Sequence, residues 1–596
     1  MYKDISKLND KELVKLINSR WDSSETLWET VEKVYNQNTL IYENKAEWIN
    51  RIPKKKIKVQ ANRIFVNMEA VINSLIANPA RINVIPGRKD SEESKDLAMS
   101  LERFYRKKYD DKNIKEVLRK GLRNLYFGRL IVIKPFWNHK INDWDVKAID
   151  PRKVRFGKYA SKEIESEFAI EEIEDNICAV MARFPDKKDD IVKEYGNMSE
   201  EDLYIKNPEI KYKECWIGDY LICKYGSLIL CKIKNPYFDW DGLLMTKEEK
   251  EEVDGLYGED KRSKLLEIKL EQDTRKAQKE SDEFVEGVSY EAYFYNYFDI
   301  PRKPYIFATA FNNENSPIGR TDMISMAAPL QESIDRRKQD IDENASLVNG
   351  TVKVDASVMS KDDAQSMRFE ARGVVWGKGV VNGVVRETGE PLPNMVFEDM
   401  IDSRQEIDNI MAATSAFKGE REGQETKAGR LALIDQSYLR LNELVQVVDY
   451  VSAEMFAWFI QLAKVKYTEE HYAKWTGRDE AVEIMGIMQD DIEDGIEIVV
   501  IPGKSLPLDS SFRFERAQQD VASGIIAPTD YFEEAGYDNP KQLAKNAVMF
   551  KQNPASFVGI PPNEMPLPAQ PGQLQPDQSS SHRGSRGHSC WWGTGS

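Results

Sequence analysis

One short segment carries residues that could hold a phosphate group. IPGKS, at positions 501–505, contains the Gly-Lys-Ser of a phosphate-binding loop. Such a loop also needs a glycine five residues before its Gly-Lys pair, and this sequence has Ile498 there. The backbone amides that would surround a phosphate are therefore not encoded. The segment is typical of a turn that ends a strand.

A second segment carries residues that could bind a divalent cation. FDWDG, at positions 238–242, has two carboxylates followed by a glycine. An EF-hand loop needs a third ligand position and a terminal glutamate, and this segment has neither. We predict that Asp239 and Asp241 are solvated acids in a loop.

Nucleophilic and zinc chemistry lack a specific pattern. The sequence contains neither a Gly-x-Ser-x-Gly elbow nor a Cys-x-x-Cys pair. Its histidines are too dispersed for a zinc-ligand cluster, and the first four cysteines are predicted to be small apolar residues in strands and turns. An acid–base carboxylate pair stays open, because no spacing selects one. The residues concerned are His139, His471, His582, His588, Cys178, Cys215, Cys223, Cys231 and Cys590.

The charge balance is acidic. Asp and Glu number 100 against 84 Lys and Arg, which gives a net charge of −16. Proteins that bind nucleic acid by neutralising phosphates usually have a basic balance. The chain either has no nucleic-acid partner or contacts one without binding it tightly. Its best basic cluster, RIPKKKIKVQANR at 51–63, is predicted to be a solvated turn, with a local phosphate or acidic-partner contact as the alternative.

Composition is that of a folded soluble protein with room for several domains. Hydrophobic residues make up 41% of the 596 positions. No window approaches the roughly 20 apolar residues that span a bilayer. The first residues are charged and lack the apolar segment of a signal peptide. We expect a cytoplasm-like compartment and no membrane partner.

Helices and strands alternate in the first half of the chain. Residues 91–128 are predicted as one helix, and 129–157 as a strand, a turn and a strand. Three short alternating runs at 211–234 predict an antiparallel meander, with turns at Gly218 and Gly226. The Lys/Glu-rich block at 246–284 is predicted to be a solvated insertion.

The second half has a distinctive order: long helix, small β element, long helix, exposed loop, longer helix. The helix at 319–347 has an apolar stripe too narrow for a core helix, and it suits lateral packing against copies of itself. Pro329 predicts a kink or a break in it. A similar helix covers 394–413, and a polar loop with alternating charges covers 418–429. The stripe residues are Ile324, Ala327, Leu330, Ile334, Ile341 and Val348.

This order resembles that of tailed-bacteriophage portal proteins. PARINVIPG, and LYFGRLIVIKPFW followed by AIDPRKVRFG, resemble the wing of that family. NSPIGRTDMISMAAPLQESIDRRKQDIDENASLVNGTVKVD resembles the first stem helix entering the clip. MIDSRQEIDNIMAATSAFKGEREGQETKAGRLALIDQSYLRLNELVQ resembles the second stem helix, the tunnel loop and the long wing helix, and SGIIAPTDYFEEAGYDNP resembles the crown. The likeness runs from about residue 62 to residue 553.

The resemblance implies an α+β portal fold with a wing, a long-helix stem, a small β-containing clip and a C-terminal helical crown. The implied divisions are an N-terminal wing at 1–314 with a charged insertion at about 245–285, stem helix 1 at 315–348, clip at 349–392, stem helix 2 at 393–413, tunnel loop at 414–429, long wing helix and strands at 430–511, crown at 512–552, and a disordered tail at 553–596.

The resemblance also implies a function without catalysis, cofactor or metal. Portal proteins form a ring, usually a dodecamer, at one capsid vertex, and double-stranded DNA is packaged and ejected through it. The implied location is the virion, with the host cytoplasm during assembly. The implied partners are other copies of the chain, double-stranded DNA, the terminase large subunit, the major capsid protein and scaffold, and head-completion or adaptor proteins. The implied channel residues are Lys418, Arg421, Lys427 and Arg430 in the tunnel loop, and Arg336, Arg337, Lys338 and Asp340 in the stem.

Two alternatives stay open. The chain could be another ring, connector or baseplate component of a virion. From a different class, it could be a metal-dependent nucleic-acid-processing enzyme whose carboxylate site has no recognisable spacing.

Overall fold

A computed structural model of the protein describes two compact units, Met1–Ser511 and Phe512–Ser596. In the second unit the described regular element is helix Pro540–Gln552. Every other helix and strand described below lies in the first unit. The described residues are 5–44, 61–77, 81–88, 91–196, 198–280, 290–348, 351–358, 360–362, 384–387, 392–413, 440–476, 482–501, 521, 527, 531–532 and 540–552.

The helices of the described residues mix short surface elements with long ones. They are α1 (Asp10–Ser23), α2 (Glu25–Tyr42), α3 (Arg63–Ala77), α4 (Glu92–Asp111), α5 (Ile114–Gly128), α6 (Ile177–Arg183), α7 (Lys188–Tyr195), α8 (Glu200–Lys206), α9 (Lys247–Gly255), α10 (Gly258–Leu270), α11 (Gln272–Glu280), α12 (Met323–Val348), α13 (Asn394–Ile410), α14 (Asn442–Lys466) and α15 (Pro540–Gln552).

The strands are β1 (Arg81–Ile85), β2 (Ile131–Asn138), β3 (Asp143–Ala148), β4 (Val154–Phe156), β5 (Phe168–Asn176), β6 (Glu209–Ile217), β7 (Tyr220–Tyr225), β8 (Leu228–Lys234), β9 (Leu243–Met245), β10 (Glu291–Tyr293), β11 (Ile306–Ala308), β12 (Thr351–Val354), β13 (Val384–Glu387), β14 (His471–Thr476), β15 (Val482–Ile487) and β16 (Glu497–Ile501). The chain is therefore mixed α and β, as the sequence predicts.

Antiparallel sheets hold the strands together. The larger ones have the orders β4-β5-β6-β7-β8 and β11-β2-β3, and the pairs are β1-β16, β9-β10, β12-β13 and β14-β15. The predicted meander is confirmed as β6, β7 and β8. Gly218 and Gly226 make its turns with φ of +55° each, a left-handed conformation that glycine adopts without steric cost.

A buried charge cluster joins the two larger sheets. Lys134 Nζ of β2 lies 2.6 Å from a carboxylate oxygen of Glu171 on β5 and 2.5 Å from one of Glu214 on β6. The Tyr305 hydroxyl donates to Glu171 at 2.9 Å. Burial by itself would raise the pKa of Glu171, but the charges of Lys134 and of nearby Lys147 lower it to about 2. The carboxylate is thus held ionised inside the protein.

The core is built around helix α14. Every residue from Met455 to Lys464 is buried, as expected for a helix that is apolar on all sides. The ring centroids of Phe456 and Phe459 lie 4.5 Å and 5.3 Å from that of Tyr105 on α4. Helix α14 therefore fixes the helices and sheets of the first unit around it.

The prediction of one helix over 91–128 is wrong. Helix α4 ends at Asp111, and α5 begins at Ile114. Between them Asn113 has φ of +50°, the left-handed conformation that asparagine tolerates better than most residues. The turn lets α5 pack closely on β2, where a Cβ at Gly121 would lie only 2.8 Å from the Ile131 side chain.

The charged block at 246–284 forms helices in its described part, where most side chains are exposed and a few pack together. Helices α9, α10 and α11 surround a small apolar cluster, and Arg275 pairs with Glu249 at 2.7 Å. Arg262 lies 2.5 Å from Asp491, so the block is also tied to the segment before β16. The cluster residues are Leu243, Met245, Val253, Leu265 and Ile268.

The acidic loop at 238–242 differs from its prediction as well. One oxygen of Asp239 accepts hydrogen bonds from the backbone amides of Asp241 and Gly242, both at 3.2 Å, and the other accepts from the amide of Tyr295 at 3.0 Å. Asp239 organises a turn rather than facing solvent, whereas Asp241 is exposed. Of the phosphate-loop-like segment, Ile501 ends strand β16, and positions 502–505 lie outside the described residues.

The cysteine prediction holds for three of the four described positions. Cys215, Cys223 and Cys231 lie in β6, β7 and β8. Cys178 lies in helix α6, so its assignment to a strand or turn is wrong. All four are free thiols.

Candidate functional site

Two long helices and a pair of strands form an extended element, which we call the arm. Helices α12 and α13 pack against each other. Strand β12 follows α12, β13 precedes α13, and the two strands pair antiparallel. The helices therefore run in opposite directions and are joined at one end by the strands. The 26 residues of α12 span about 39 Å at 1.5 Å per residue.

Helix α12 is continuous across Pro329. It runs from Met323 to Val348, so the predicted break does not occur. Proline has no amide hydrogen, and one backbone bond of the helix is therefore missing at this point. Ala327 and Gln331, on either side of Pro329, are both fully buried. Packing against the body thus holds the helix together where its own hydrogen bonding is weakest.

Burial divides the arm into two parts along α12. Ile324, Ala327 and Ile334 are at most 1% exposed. Within 336–345, the part of the helix beyond Asp335 whose side chains are described, no residue is buried. The expectation that this helix is too narrowly apolar for a core is therefore wrong for its first half, which belongs to the main hydrophobic core.

Helix α13 repeats this division in reverse. No described residue of 394–402 is buried, whereas Ser403 and Ile407 are. We call 323–335 and 403–410 the root of the arm, and 336–348 and 394–402 its outer half. The root is embedded in the protein, and the outer half leaves it.

An ion pair ties the root of α13 to helix α3. The Arg63 guanidinium donates to both carboxylate oxygens of Asp408, at 2.9 Å and 2.6 Å. The Asn67 amide donates to the same carboxylate at 2.7 Å. Arg63 is the last residue of the basic segment at 51–63, whose first ten positions lie outside the described residues. The sequence left open a contact between that segment and an acidic partner. At Arg63 the acidic group is Asp408 of the same chain.

The root of α12 is tied to the same place. The Gln331 side-chain oxygen accepts from the backbone amide of Arg63, and an oxygen of Asp335 accepts from that of Ala61, both at 3.0 Å. Both side chains are fully buried. Burial raises the pKa of Asp335, although the hydrogen bonds that it accepts from the Ala61 amide and from the Gln331 side chain act in the opposite direction. The start of α3 therefore holds both arm helices.

A second attachment lies where α12 begins. Asp322, which precedes the helix, accepts from the backbone amide of Ser325 at 2.6 Å, as an N-terminal capping residue does. The same carboxylate accepts from the Arg129 guanidinium at 2.7 Å and from the Asn38 amide at 3.1 Å. An aspartate here also complements the positive end of the helix dipole.

The predicted stem residues lie in the outer half. Arg336 is exposed and pairs with Glu332 one turn earlier, at 3.0 Å. Arg337 lies 2.5 Å from Asp399 and so connects the two helices. Lys338 is half-buried, and Asp340 is exposed. The structure thus brings the four residues together on one stretch of helix, and both arginines have carboxylate partners within the arm.

Sequence reasoning missed the exposed face of α13. Phe397 and Ile401 lie four residues apart, so they share one side of the helix, and they are 39% and 48% exposed. Met395 is 73% exposed and lies on a different side. Apolar side chains grouped on an exposed surface mark sites of protein interaction. The same helix presents three exposed acids at four-residue spacing, and these share one side of it. They are Glu398, Asp402 and Glu406. The signal was in the sequence, since a second apolar set in 394–413 falls off the buried face.

The predicted tunnel-loop residues cannot be placed. Lys418, Arg421, Lys427 and Arg430 lie outside the described residues. Their role stays a prediction.

Two kinds of site are absent from the described part of the chain. It contains no group of three or more His, Cys, Asp or Glu side chains arranged to hold a metal ion. Among the described residues, too, no helix combines the length and apolar character that a membrane crossing requires.

No model of a protein family and no curated protein matches the sequence. Several solved structures share a limited likeness with the chain, among them the following two. One is a chain from "Virion of native gene transfer agent (GTA) particle", with a TM-score of 0.36 and 9% identity over 80% of this chain and 89% of that one. The other is from "Neck of native GTA particle computed with C12 symmetry", with a TM-score of 0.35 and 10% identity over the same shares of the two chains. These TM-scores are too low for the likeness to assign a fold or a function to this chain.

Proposed function

We propose that the chain is a structural subunit of a phage-like virion, and more specifically a portal protein that forms a ring through which double-stranded DNA passes. The observation that carries the proposal is the arm. One half of a helix pair is embedded in an α+β body, and the other half presents exposed charged and apolar side chains. A ring of such arms would bury their apolar side chains against neighbouring copies and direct charged side chains to a lumen.

The charges of the arm suit a channel through which DNA slides better than a site that binds DNA tightly. Arg336 and Arg337 each have a carboxylate partner, and α13 adds three unburied acids. Cations that are already paired neutralise DNA phosphates weakly, and DNA affinity depends on such neutralisation. A lumen lined in this way would let duplex DNA slide. The net charge of −16 agrees with weak DNA contact over the whole chain.

The proposal includes the partners that such a subunit needs. They are further copies of the chain, in a ring that we expect to be a dodecamer, the DNA itself, the terminase large subunit, the major capsid protein and scaffold, and head-completion or adaptor proteins. We place the ring at one capsid vertex in the virion, after assembly in the host cytoplasm. We assign the subunit no catalytic activity, so the purified protein is expected neither to hydrolyse ATP nor to cut DNA.

Electron microscopy of the purified full-length chain tests the ring. We expect closed rings with an axial hole wide enough for duplex DNA. Ile401→Asp should abolish the rings, because it places a charge in the exposed apolar group of α13. The matched control is Ile205→Asp on α8, where an isoleucine 82% exposed lies outside the arm; it should form rings. A wild-type chain that stays monomeric, or rings that tolerate Ile401→Asp, would contradict the proposal.

The tunnel loop needs its own experiment. The loop at 418–429 has almost no apolar side chain, and loops of that composition run through solvent. We propose that its cations touch passing phosphates transiently. Replacing Lys418, Arg421 and Lys427 with alanine should leave ring assembly intact and impair DNA packaging or retention. Each phosphate that the variant no longer touches should lower the log–log salt slope of DNA binding by about 0.9. Normal packaging by this variant, or loss of its rings, would show that the loop has another role.

A further inference from the structure

Two cysteines lie directly opposite each other in the five-stranded sheet. Cys223 of β7 and Cys231 of β8 are register partners in an antiparallel pair. Partners of this kind have Cα atoms about 4.5 Å or about 5.5 Å apart, depending on whether they exchange backbone hydrogen bonds. Both separations fall within the range of roughly 4.4–6.8 Å that a disulfide spans. The ordinary spacing of paired strands is therefore compatible with a disulfide between them.

Because they are register partners, the two side chains lie on the same face of the sheet. The neighbouring Cys223 side chain lowers the pKa of the Cys231 thiol. The neighbouring Cys231 and burial raise the pKa of the Cys223 thiol well above its ordinary value. Cys231 is half-buried, whereas Cys223 is only 5% exposed. Of the two, Cys231 is both the more acidic and the more accessible, and the thiolate is the form of cysteine that reacts.

The hairpin that carries the pair is held in one register. Gly226 forms its turn with φ of +55°, and Glu194 of α7 accepts a hydrogen bond from the Ser227 backbone amide at 2.6 Å. The ladder shifts by one position between Cys223 and Lys224. Strand β8 is the last strand of its sheet, so it pairs with a neighbouring strand on one side only.

We propose that Cys223 and Cys231 are an oxidation-dependent pair that a small-molecule disulfide such as oxidised glutathione converts to an intramolecular disulfide. The Cys231 thiolate attacks one sulfur of the reagent, which forms a mixed disulfide and releases one reagent thiolate. Cys223 then loses its proton to solvent and attacks the Cys231 sulfur, which releases the second reagent thiolate. Two protein thiols are oxidised, one reagent disulfide is reduced to two thiols, and the two protons pass from the protein to them.

The new disulfide would fix strand β8, at the edge of the sheet, to strand β7. It would join neighbouring strands across a short loop, so β8 could neither slip in register nor detach from β7. Thiols stay reduced in a cytosol and form disulfides outside it. For a virion subunit the pair would therefore close after the particle leaves the cell. That consequence rests on the proposed function, whereas the exchange chemistry does not.

Peptide mapping of the native full-length chain tests the pair. The protein is incubated with oxidised glutathione, remaining thiols are blocked, and a tryptic digest is examined by mass spectrometry. Trypsin cuts after Lys224, so Cys231 falls on a different peptide from Cys223, and only a disulfide joins the two peptides. Because Cys215 lies on the same tryptic peptide as Cys223, fragmentation of the linked peptides in the mass spectrometer identifies which of the two is bonded. We expect loss of two of the five thiols, recovery of that linked pair, and reversal by a reducing agent. Amide hydrogen exchange across 220–234 should be slower in the oxidised protein.

Single serine variants test the order of events. Cys223→Ser should stop at the mixed disulfide on Cys231, and Cys231→Ser should take up no reagent at Cys223. Cys178→Ser is the matched control, because Cys178 is also half-buried but has no cysteine opposite it; the linked peptides should form normally. Retention of all five thiols, or linkage through Cys178, Cys215 or Cys590, would overturn the proposal. The wild-type map decides the question even if a variant does not fold.

Discussion

Helices α12 and α14 are nearly equal in length, at 26 and 25 residues, yet the protein uses them in opposite ways. Helix α14 is buried on all sides from Met455 to Lys464. Helix α12 is buried only in its first half, and its outer half carries charges that pair within the arm. Length does not separate the two roles. The distribution of charge along each helix does, because a charged side chain is rarely buried without a partner.

The largest difference in stability should come from removing one aromatic side chain from helix α14 and one from the outer half of the arm. Phe459→Ala in α14 empties a fully buried site between Tyr105 and Trp144. It should lower the free energy of unfolding by about 3–5 kcal/mol. Phe397→Ala in the outer half changes a side chain that is 39% exposed, and it should cost less than about 0.5 kcal/mol in the monomer. Denaturant titration measures both, and equal costs would contradict the division of the arm.

Lowering the pH should destabilise the charge cluster between the two larger sheets before it destabilises the arm. The pKa of Glu171 is about 2 in the folded protein, below its unfolded value of about 4.3. The stability that it contributes is therefore fully present above about pH 4.3 and is lost as the pH falls toward 2. The loss should be on the order of 3 kcal/mol. Unfolding followed from pH 6 to pH 2 checks this, and Glu171→Gln should flatten the profile. An unchanged profile in that variant would exclude the cluster as its source.

Two aspartates of α13 compare the root with the outer half directly. Asp408 accepts from Arg63 and Asn67 in the root, whereas Asp399 pairs with Arg337 where the two side chains are 45% and 32% exposed. Asp408→Ala should cost about 1–3 kcal/mol, because the partners lose their shared, partly buried acceptor. Asp399→Ala should cost less than about 0.5 kcal/mol, because solvent screens that pair. Thermal unfolding of both variants measures the difference, and a reversed order would refute the root as the anchor.

The smallest effect should come from Asp335, whose pKa shift has the opposite sign. Burial raises its pKa, so stability is highest below the unfolded pKa and falls as the pH rises through the folded one. Asp335→Asn keeps the oxygen that accepts from Ala61 and removes the buried charge. It should be slightly more stable than the wild type at pH 7, with the difference vanishing near pH 3. A less stable variant at pH 7 would show that the charge itself is needed.

Much of the regular structure follows from local pattern. The meander and the strands between Gly128 and Gly157 are set by alternation and by Gly and Pro, which act within a few residues. The features that the sequence did not predict depend on the conformation of a single residue or on partners far away in the chain. Asn113 ends a helix by adopting a left-handed conformation. The charged block at 246–284 is attached to the rest of the first unit through distant partners, such as Asp491 for Arg262.

The candidate site was predictable only in outline. The stripe of α12 indicates a long helix, and the arm charges Arg336 and Arg337 can be read from the sequence. Its root cannot, because Arg63 and Asp408 are hundreds of positions apart and nothing local connects them. The exposed apolar side of α13 leaves a signal in the helical spacing of Phe397 and Ile401, but only their exposure in the structure distinguishes them from ordinary core residues.

The two attachments of α12 give the arm a mechanical character. Asp322 fixes the helix where it begins, and Asp335 fixes it about 20 Å farther on, at 1.5 Å per residue. A rod held at a single point swivels, whereas one held at two separated points can only flex beyond the second. A sideways load on the outer half is therefore delivered as a torque to the body through α3. The arm is a cantilever, and its tip cannot be displaced without loading the core to which it is fixed.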